Sequence, residues 1–252
     1  MAKKESYRKK HQAKISPGPS IKVSITDEKK KEFEEGRVLF IDKELHWTSF
    51  DVVRKIRNSI GIKKVGHAGT LDPLATGLLI VCTGKSTKQI NGFMAAQKEY
   101  TGSFTLGAET PTYDLESEPV NFKPYQHLSP DEIQQATKKF TGEIFQVPPI
   151  YSAIKKDGEA LYHLARRGED VELQPRKIMI HHFEITAINL PEVYFKVQCS
   201  TGTYIRSLAH DFGQALACGA YLGGLRRTQI GEHRVENAQT IGDFLHDLSA
   251  QQ

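Results

Sequence analysis

The chain has 252 residues, 38% of them hydrophobic and 25% charged, with a formal net charge of +4. A folded chain of that length buries about three quarters of its unfolded surface, enough for a core without disulfides. This composition excludes collagen-like, coiled-coil and fully disordered chains. The absence of an 18-residue apolar run excludes a transmembrane helix. The start, MAKKESYRKKHQAK, lacks the apolar stretch of a secretory signal. Charge is unevenly spread. Residues 1–22 hold Lys3, Lys4, Arg8, Lys9, Lys10, Lys14 and Lys22 against Glu5 alone, a local +6, and the rest of the chain carries −2. This segment reads as a basic disordered tail closed by SPGPS, with nucleic acid as the partner that such an arm attracts. Cys82, Cys199 and Cys218 form no CxxC pair and sit in apolar contexts. Buried free thiols and a cytoplasmic location are expected, without a metal site.

In chain order, residues 27–36 suggest a helical lead-in and RVLFID (37–42) a buried strand. Thr48 or Ser49 caps a helix whose apolar face is Phe50, Val53, Ile56 and Ile60. GLLIVCTG (77–84) is an apolar run bounded by glycines, hence a strand. KEYTGSFTLG (98–107) places Tyr100, Gly102, Phe104 and Leu106 on one face. Ser129-Pro130-Asp131-Glu132 is a helix start with cap, first-position proline and acidic first turn, and Ile133, Ala136 and Phe140 form its buried face. Residues 158–168 suggest a short helix. Strands are expected at 178–188 and 193–199, joined at Asn189-Leu190-Pro191. Tyr204 to Ala217 forms an amphipathic helix with Ile205, Leu208, Phe212 and Leu216 inward, and GDFLHDL a final helix. Strands and helices mix without a βαβ rhythm, so the expected class is α+β.

Three segments carry chemistry. In Lys63–Lys88, four glycines and a proline surround one carboxylate, Asp72. Pro73 drives Asp72 into an extended conformation, and the glycines admit a large ligand close to the backbone. The bland alternative for any one acid is a solvated surface charge. In CSTGTYIR (199–206) a strand passes into a helix with Arg206 in its first turn. A cation there opposes the helix dipole, so Arg206 calls for an anionic partner. In QVPPIYSAIK (146–155), with YHLARRG and QPRK after it, prolines, aromatics and cations interleave as in a loop that grips RNA. Gly84-Lys85-Ser86 imitates a phosphate-binding loop, but position 79 is Leu79 where that loop needs glycine, which argues against an NTPase.

GHAGTLDPLATG with GKSTK, KEY, QVPPIYSAIK with LYHLARRG, CSTGTYIRSLAHDFG and LRR together resemble the TruB family of tRNA pseudouridine synthases. They stand in the family's order over residues 36–230. The resemblance implies the pseudouridine synthase catalytic fold, a mixed, largely antiparallel sheet with helices and long RNA-binding loops. It implies isomerisation of a uridine in the T loop of tRNA, position 55, without metal or organic cofactor. Asp72 matches the catalytic aspartate, Tyr100 the tyrosine that packs on the flipped base, and Arg206 the arginine paired with the aspartate. Tyr204 and Leu225 match residues lining the base pocket, and His67 a histidine that contacts RNA and assists the flip. Lys88 matches the lysine of the GxxTK segment. Extruding a base costs a few kcal/mol, and stacking on one aromatic returns about 1–3 kcal/mol. A guanidinium beside a carboxylate favours its ionised form, which a nucleophile needs. The expected partner is a tRNA T stem-loop, bound by a monomer. The expected organisation is a tail (1–22) and one catalytic domain (23–252), with an RNA-gripping insertion near 146–176 that orders on binding. Only 25 residues follow Arg227, so a full C-terminal PUA-type domain is not expected. GAETPTYDLESE departs from the family's acidic segment but keeps Asp114. The rival reading is a non-catalytic tRNA-binding or folding factor on the same scaffold.

Overall fold

The computed structural model describes residues 25–152, 167 and 173–250, with the backbone of 155–156 and 159–160. The basic tail and most of the expected RNA-gripping insertion lie outside the described residues. The chain divides into two compact units. One comprises the N-terminal part to Ala96 with Arg226 onward, and the other Gln97–Leu225.

The first unit contains α1 (Asp27–Glu35), β1 (Val38–Lys43), α2 (Ser49–Ile60), β2 (Val65–His67), β3 (Ala75–Thr83) and α3 (Ile90–Ala95). β3 pairs antiparallel with β1, from Val38↔Cys82 to Lys43↔Gly77, and with β2, from Val65↔Thr83 to His67↔Val81. The apolar run of β3 is continuous because both of its faces are covered. Leu79 and Val81 pack with Val52, Ile56 and Phe244, whereas Leu78, Ile80 and Cys82 pack with Ile230 and Val235. Thr48 caps α2 in a reciprocal box with Asp51. Its buried face is Val52, Val53, Ile56 and Ile60. Phe50, expected on that face, is 58% exposed. At 3.6 residues per turn Phe50 lies roughly 100° from the centre of the face formed by Val52, Val53, Ile56 and Ile60, so the helical period itself turns it outward.

The second unit contains β4 (Lys98–Leu106), α4 (Pro130–Ala136), β5 (Gly142–Gln146), the hairpin β6 (Lys155–Lys156) and β7 (Glu159–Ala160), β8 (Arg176–Asn189), β9 (Glu192–Cys199) and α5 (Ile205–Ala215). β4 pairs with β9, β9 with β8, and β8 with β5, all antiparallel. Ser129 caps α4 reciprocally with Glu132. The core gathers aromatic rings: Phe104 lies 4.3 Å from Phe195 and 5.4 Å from Phe212 between centroids. α5 buries Ile205, Leu208 and Phe212 as its period requires. The hairpin occupies Glu159–Ala160, where a helix from 158 was expected. The remainder of that expected helix lies outside the described residues, apart from Arg167. β10 (Ala220–Ile230) begins in this unit and ends in the other, where β11 (His233–Arg234) pairs with it and α6 (Ile241–Ala250) follows.

Secondary structure is therefore α+β, with helices beside antiparallel strands. The three cysteines are buried and free. Burial pushes the Cys82 and Cys199 thiols up to about 11, which keeps them protonated and unreactive. No helix among the described residues is long and apolar enough to cross a membrane.

Gly77 illustrates how tightly β3 is packed. Its φ is +102°, and a Cβ built there would lie 2.3 Å from the Arg227 carbonyl oxygen. Gly77→Ala is expected to destabilise the chain by at least about 3 kcal/mol, through overpacking and a strained backbone together. Urea unfolding of the two proteins checks this.

Candidate active site

Asp72 stands in the loop that joins β2 to β3. Every residue of Gly69–Pro73 has its carbonyl held. Arg227 donates to Gly69 O at 3.1 Å and to Thr70 O at 3.5 Å. The Ser49 hydroxyl donates to Leu71 O at 3.1 Å and accepts from Leu71 N at 2.8 Å. Asp72 O accepts from Ala75 N, and Pro73 O from His46 N. Gly69 takes φ +94°, the left-handed region that its lack of a side chain makes cheap. The loop is consequently a rigid support for a half-buried carboxylate.

Two cations below this loop were not legible in the sequence. Lys43, at the end of β1, is 0% exposed. Its Nζ donates to Glu44 O at 2.9 Å and Trp47 O at 2.6 Å, which fixes the turn carrying His46 and Ser49. Burial pushes its ammonium down to about 8. The negative charge of Asp72 pulls the other way, and Arg227 adds to the lowering. Arg227 is 1% exposed and also donates from Nε to Leu78 O at 2.8 Å. The only sequence signal for Lys43 was its place directly after an apolar strand, where a charge facing inward has no local marker.

Lys43 gives a pH prediction. Its ordinary value is 10.5, so the folded state binds fewer protons than the unfolded chain between about pH 8 and 10.5. Stability contributed by this residue therefore rises with pH across that window. Relative to Lys43→Met, the wild-type chain is expected to gain stability from pH 8 to pH 10. Chemical denaturation at a series of pH values reads the slope, which is independent of any offset from the lost hydrogen bonds.

His67 ends β2, directly before the loop that carries Asp72. Burial lowers its pKa, and the Arg227 guanidinium pushes it the same way. A neutral imidazole follows near pH 7, able to donate one hydrogen bond and accept another. Lys88 is exposed in the 3-10 turn Gly84–Gln89 that follows β3. The nine residues of β3 put it about 25 Å along the strand from the Asp72 end, so it does not join that loop.

Tyr100, Tyr204, Arg206 and Leu225 belong to the second unit. Tyr100 sits on β4 opposite Val197, and both it and Leu225 pack on the aromatic core. Its neighbours Lys98 and Glu99 are buried, and Glu99 meets Lys196 at 3.1 Å and the Gln198 amide at 2.8 Å. Tyr204 is the N-cap of α5 and has no capping side-chain bond. The buried Gln146 holds the cap residue's own backbone, accepting from Tyr204 N at 2.8 Å and donating to Tyr204 O at 3.1 Å.

Arg206 lies in the first turn of α5, where the helix dipole disfavours a cation. The anion that the sequence called for is present: Asp114 Oδ2 lies 3.7 Å from Arg206 Nε, and both side chains are buried. Asp114 also accepts from Thr112 Oγ1 at 2.6 Å and Glu116 N at 2.9 Å. Arg206 Nη1 donates to Tyr151 O at 3.0 Å, and Ser207 Oγ donates to Val147 O at 2.8 Å. The start of α5 thereby fastens the segment Val147–Ser152, the described beginning of the proline- and aromatic-rich loop. In the sequence Asp114 stands in GAETPTYDLESE without a role, and nothing there marks Gln146 as the partner of Tyr204. Among the described residues no cluster of His, Cys, Asp or Glu side chains is placed to hold a metal.

Residues 57–205 match the model of the TruB family pseudouridylate synthase N-terminal domain. Residues 206–252 match that of the tRNA pseudouridylate synthase B C-terminal domain. The chain is 54% identical over 225 residues to a tRNA pseudouridine synthase B of Flavobacterium johnsoniae, covering 86% of this chain and 98% of that protein. It is 49% identical over 226 residues to the protein of that name from Phocaeicola vulgatus, covering 87% and 96%. Among solved structures, one described as a Cbf5-Nop10-Gar1 complex matches with TM-score 0.67 and 31% identity over 86% of this chain. This chain spans 55% of the matched chain there. A second, an H/ACA RNP bound to a substrate RNA containing 2'-deoxyuridine, gives TM-score 0.64 and 29% identity over 86% of this chain and 54% of that one.

Proposed function

The chain belongs to the TruB family of pseudouridylate synthases, and we propose that it isomerises uridine to pseudouridine in tRNA, at position 55 of the T loop. The bond between C1′ and N1 breaks and one between C1′ and C5 forms. C5 loses its proton and N1 gains one, so the reaction is redox-neutral. Asp72 is the reacting carboxylate, Tyr100 the ring on which the extruded base stacks, and Arg206, paired with Asp114, a third catalytic residue. Tyr204 and Leu225 line the base pocket, and His67 and Lys88 contact the RNA.

The observation that carries this reading is the Asp72 loop, where every carbonyl from Gly69 to Pro73 is held by a hydrogen bond. Orienting a reacting group in this way removes entropy from the barrier. A binding-only protein has no use for a carboxylate on so firmly fastened a backbone, since a phosphate-rich ligand repels it. Chemistry on a stacked base also requires extrusion, which an aromatic platform such as Tyr100 offsets. The three buried thiols support action in the reducing cytoplasm.

The test is incubation of the full chain with a T stem-loop RNA, without added metal or nucleotide, followed by mapping of pseudouridine. The expected product is a single pseudouridine at the T-loop uridine. Binding without any product overturns the catalytic reading in favour of an RNA-folding factor.

A further inference from the structure

We propose that Ser49 and Arg227 are positioning residues that set the Asp72 carboxylate for reaction, an inference that rests on Asp72 being the reacting group. Neither side chain reaches the loop surface, and each acts on the main chain of the loop from beneath.

Ser49 is the first residue of α2, with its side chain buried. Its hydroxyl both accepts from Leu71 N and donates to Leu71 O, at 2.8 and 3.1 Å. One oxygen thus holds both polar groups of the residue directly before Asp72. A buried serine whose only task is helix capping would bond its own helix, but here Thr48 is the cap. The Ser49 hydroxyl is therefore available for the loop, 22 residues away.

Arg227 presents a stronger case for purpose. Burial of a guanidinium is costly unless its donors are satisfied. Its hydrogen bonds go to main-chain carbonyls: Leu78 O from Nε, Gly69 O from Nη2 and Thr70 O from Nη1. Two of these carbonyls belong to the loop and the third to β3, the strand that follows it. The planar fork links the loop entry to the strand exit, a task that a flexible ammonium or an apolar side chain cannot perform. Gly77 leaves room for the Arg227 backbone: a Cβ there would lie 2.3 Å from the Arg227 carbonyl oxygen.

The geometry predicts a defect in rate rather than in affinity. A displacement of about 1 Å at a reacting group costs on the order of 100-fold. Single-turnover rates, RNA dissociation constants and melting temperatures are measured for the wild-type chain, Ser49→Ala, Ser49→Thr, Arg227→Lys and Asp72→Asn on the T stem-loop RNA. Ser49→Ala and Arg227→Lys are expected to slow the chemical step by about 10- to 100-fold, with RNA affinity within threefold of wild type. Ser49→Thr, which keeps the hydroxyl, is expected to recover the rate to within threefold. Wild-type rates in folded Ser49→Ala and Arg227→Lys overturn the proposal. So does a loss of RNA affinity that matches the loss of rate, because that marks a merely structural role. Should Arg227→Lys not fold, Ser49→Ala and its threonine rescue decide alone. Asp72→Asn separates the two levels: if it stays active, the reading of Asp72 fails. If it is inactive while Ser49→Ala and Arg227→Lys run at full rate, only the positioning fails.

Discussion

Asp72→Asn is expected to lower turnover by at least about 1000-fold, as removal of a reacting group does, while leaving the fold and RNA affinity intact. The fastening of the loop explains why the fold survives. The bonds that hold Gly69–Pro73 come from the backbone, Ser49, His46 and Arg227, and they use main-chain atoms rather than the Asp72 carboxylate. An amide of equal size leaves them in place. Lys43 is the residue that registers the loss of charge. The Asp72 carboxylate holds its ammonium up against burial, so the variant is expected to shift the Lys43 titration further down. Single-turnover kinetics, filter binding and melting curves on one preparation check the first claim, and a Lys43-directed NMR titration checks the second. An active Asp72→Asn enzyme removes the carboxylate from the mechanism.

Asp114→Asn is expected to damage stability and activity together. Its carboxylate is the anion opposite Arg206 in a buried pair. Breaking such a pair from one side costs about 3 kcal/mol or more, because the remaining charge stays buried. For a chain of this length the melting temperature falls by roughly 6 to 12 °C. The Thr112 hydroxyl and Glu116 amide also bond Asp114 Oδ1, so an asparagine retains part of that network. Arg206 in turn holds Tyr151 O. Loosening it frees Val147–Ser152, the start of the proline- and aromatic-rich loop, and both the rate and the RNA affinity are expected to drop more than tenfold. The affinity loss distinguishes this variant from Asp72→Asn. A melting temperature equal to that of the wild type shows the pair to be dispensable to the fold.

Sequence alone determined those features whose cause lies within one helical turn or one strand pleat. The capping boxes of α2 and α4 are reciprocal bonds over three residues. The inward face of α5 follows from its own period, and the apolar run of β3 from being covered on both sides. Even the anion beside Arg206 was foreseeable as a need, because the helix dipole acts locally. The resemblance to the family's motifs pointed to Asp72, Tyr100 and Arg206 as site residues. Tertiary structure decided what depends on residues far apart in the chain. Ser49 meets Leu71 across 22 residues, Gln146 meets Tyr204 across 58, and Arg227 meets Gly69 across 158. A buried side chain bonded to a distant carbonyl leaves no periodicity in sequence. The tertiary contacts of Lys43, Ser49, Gln146 and Arg227 therefore stay hidden until the chain folds.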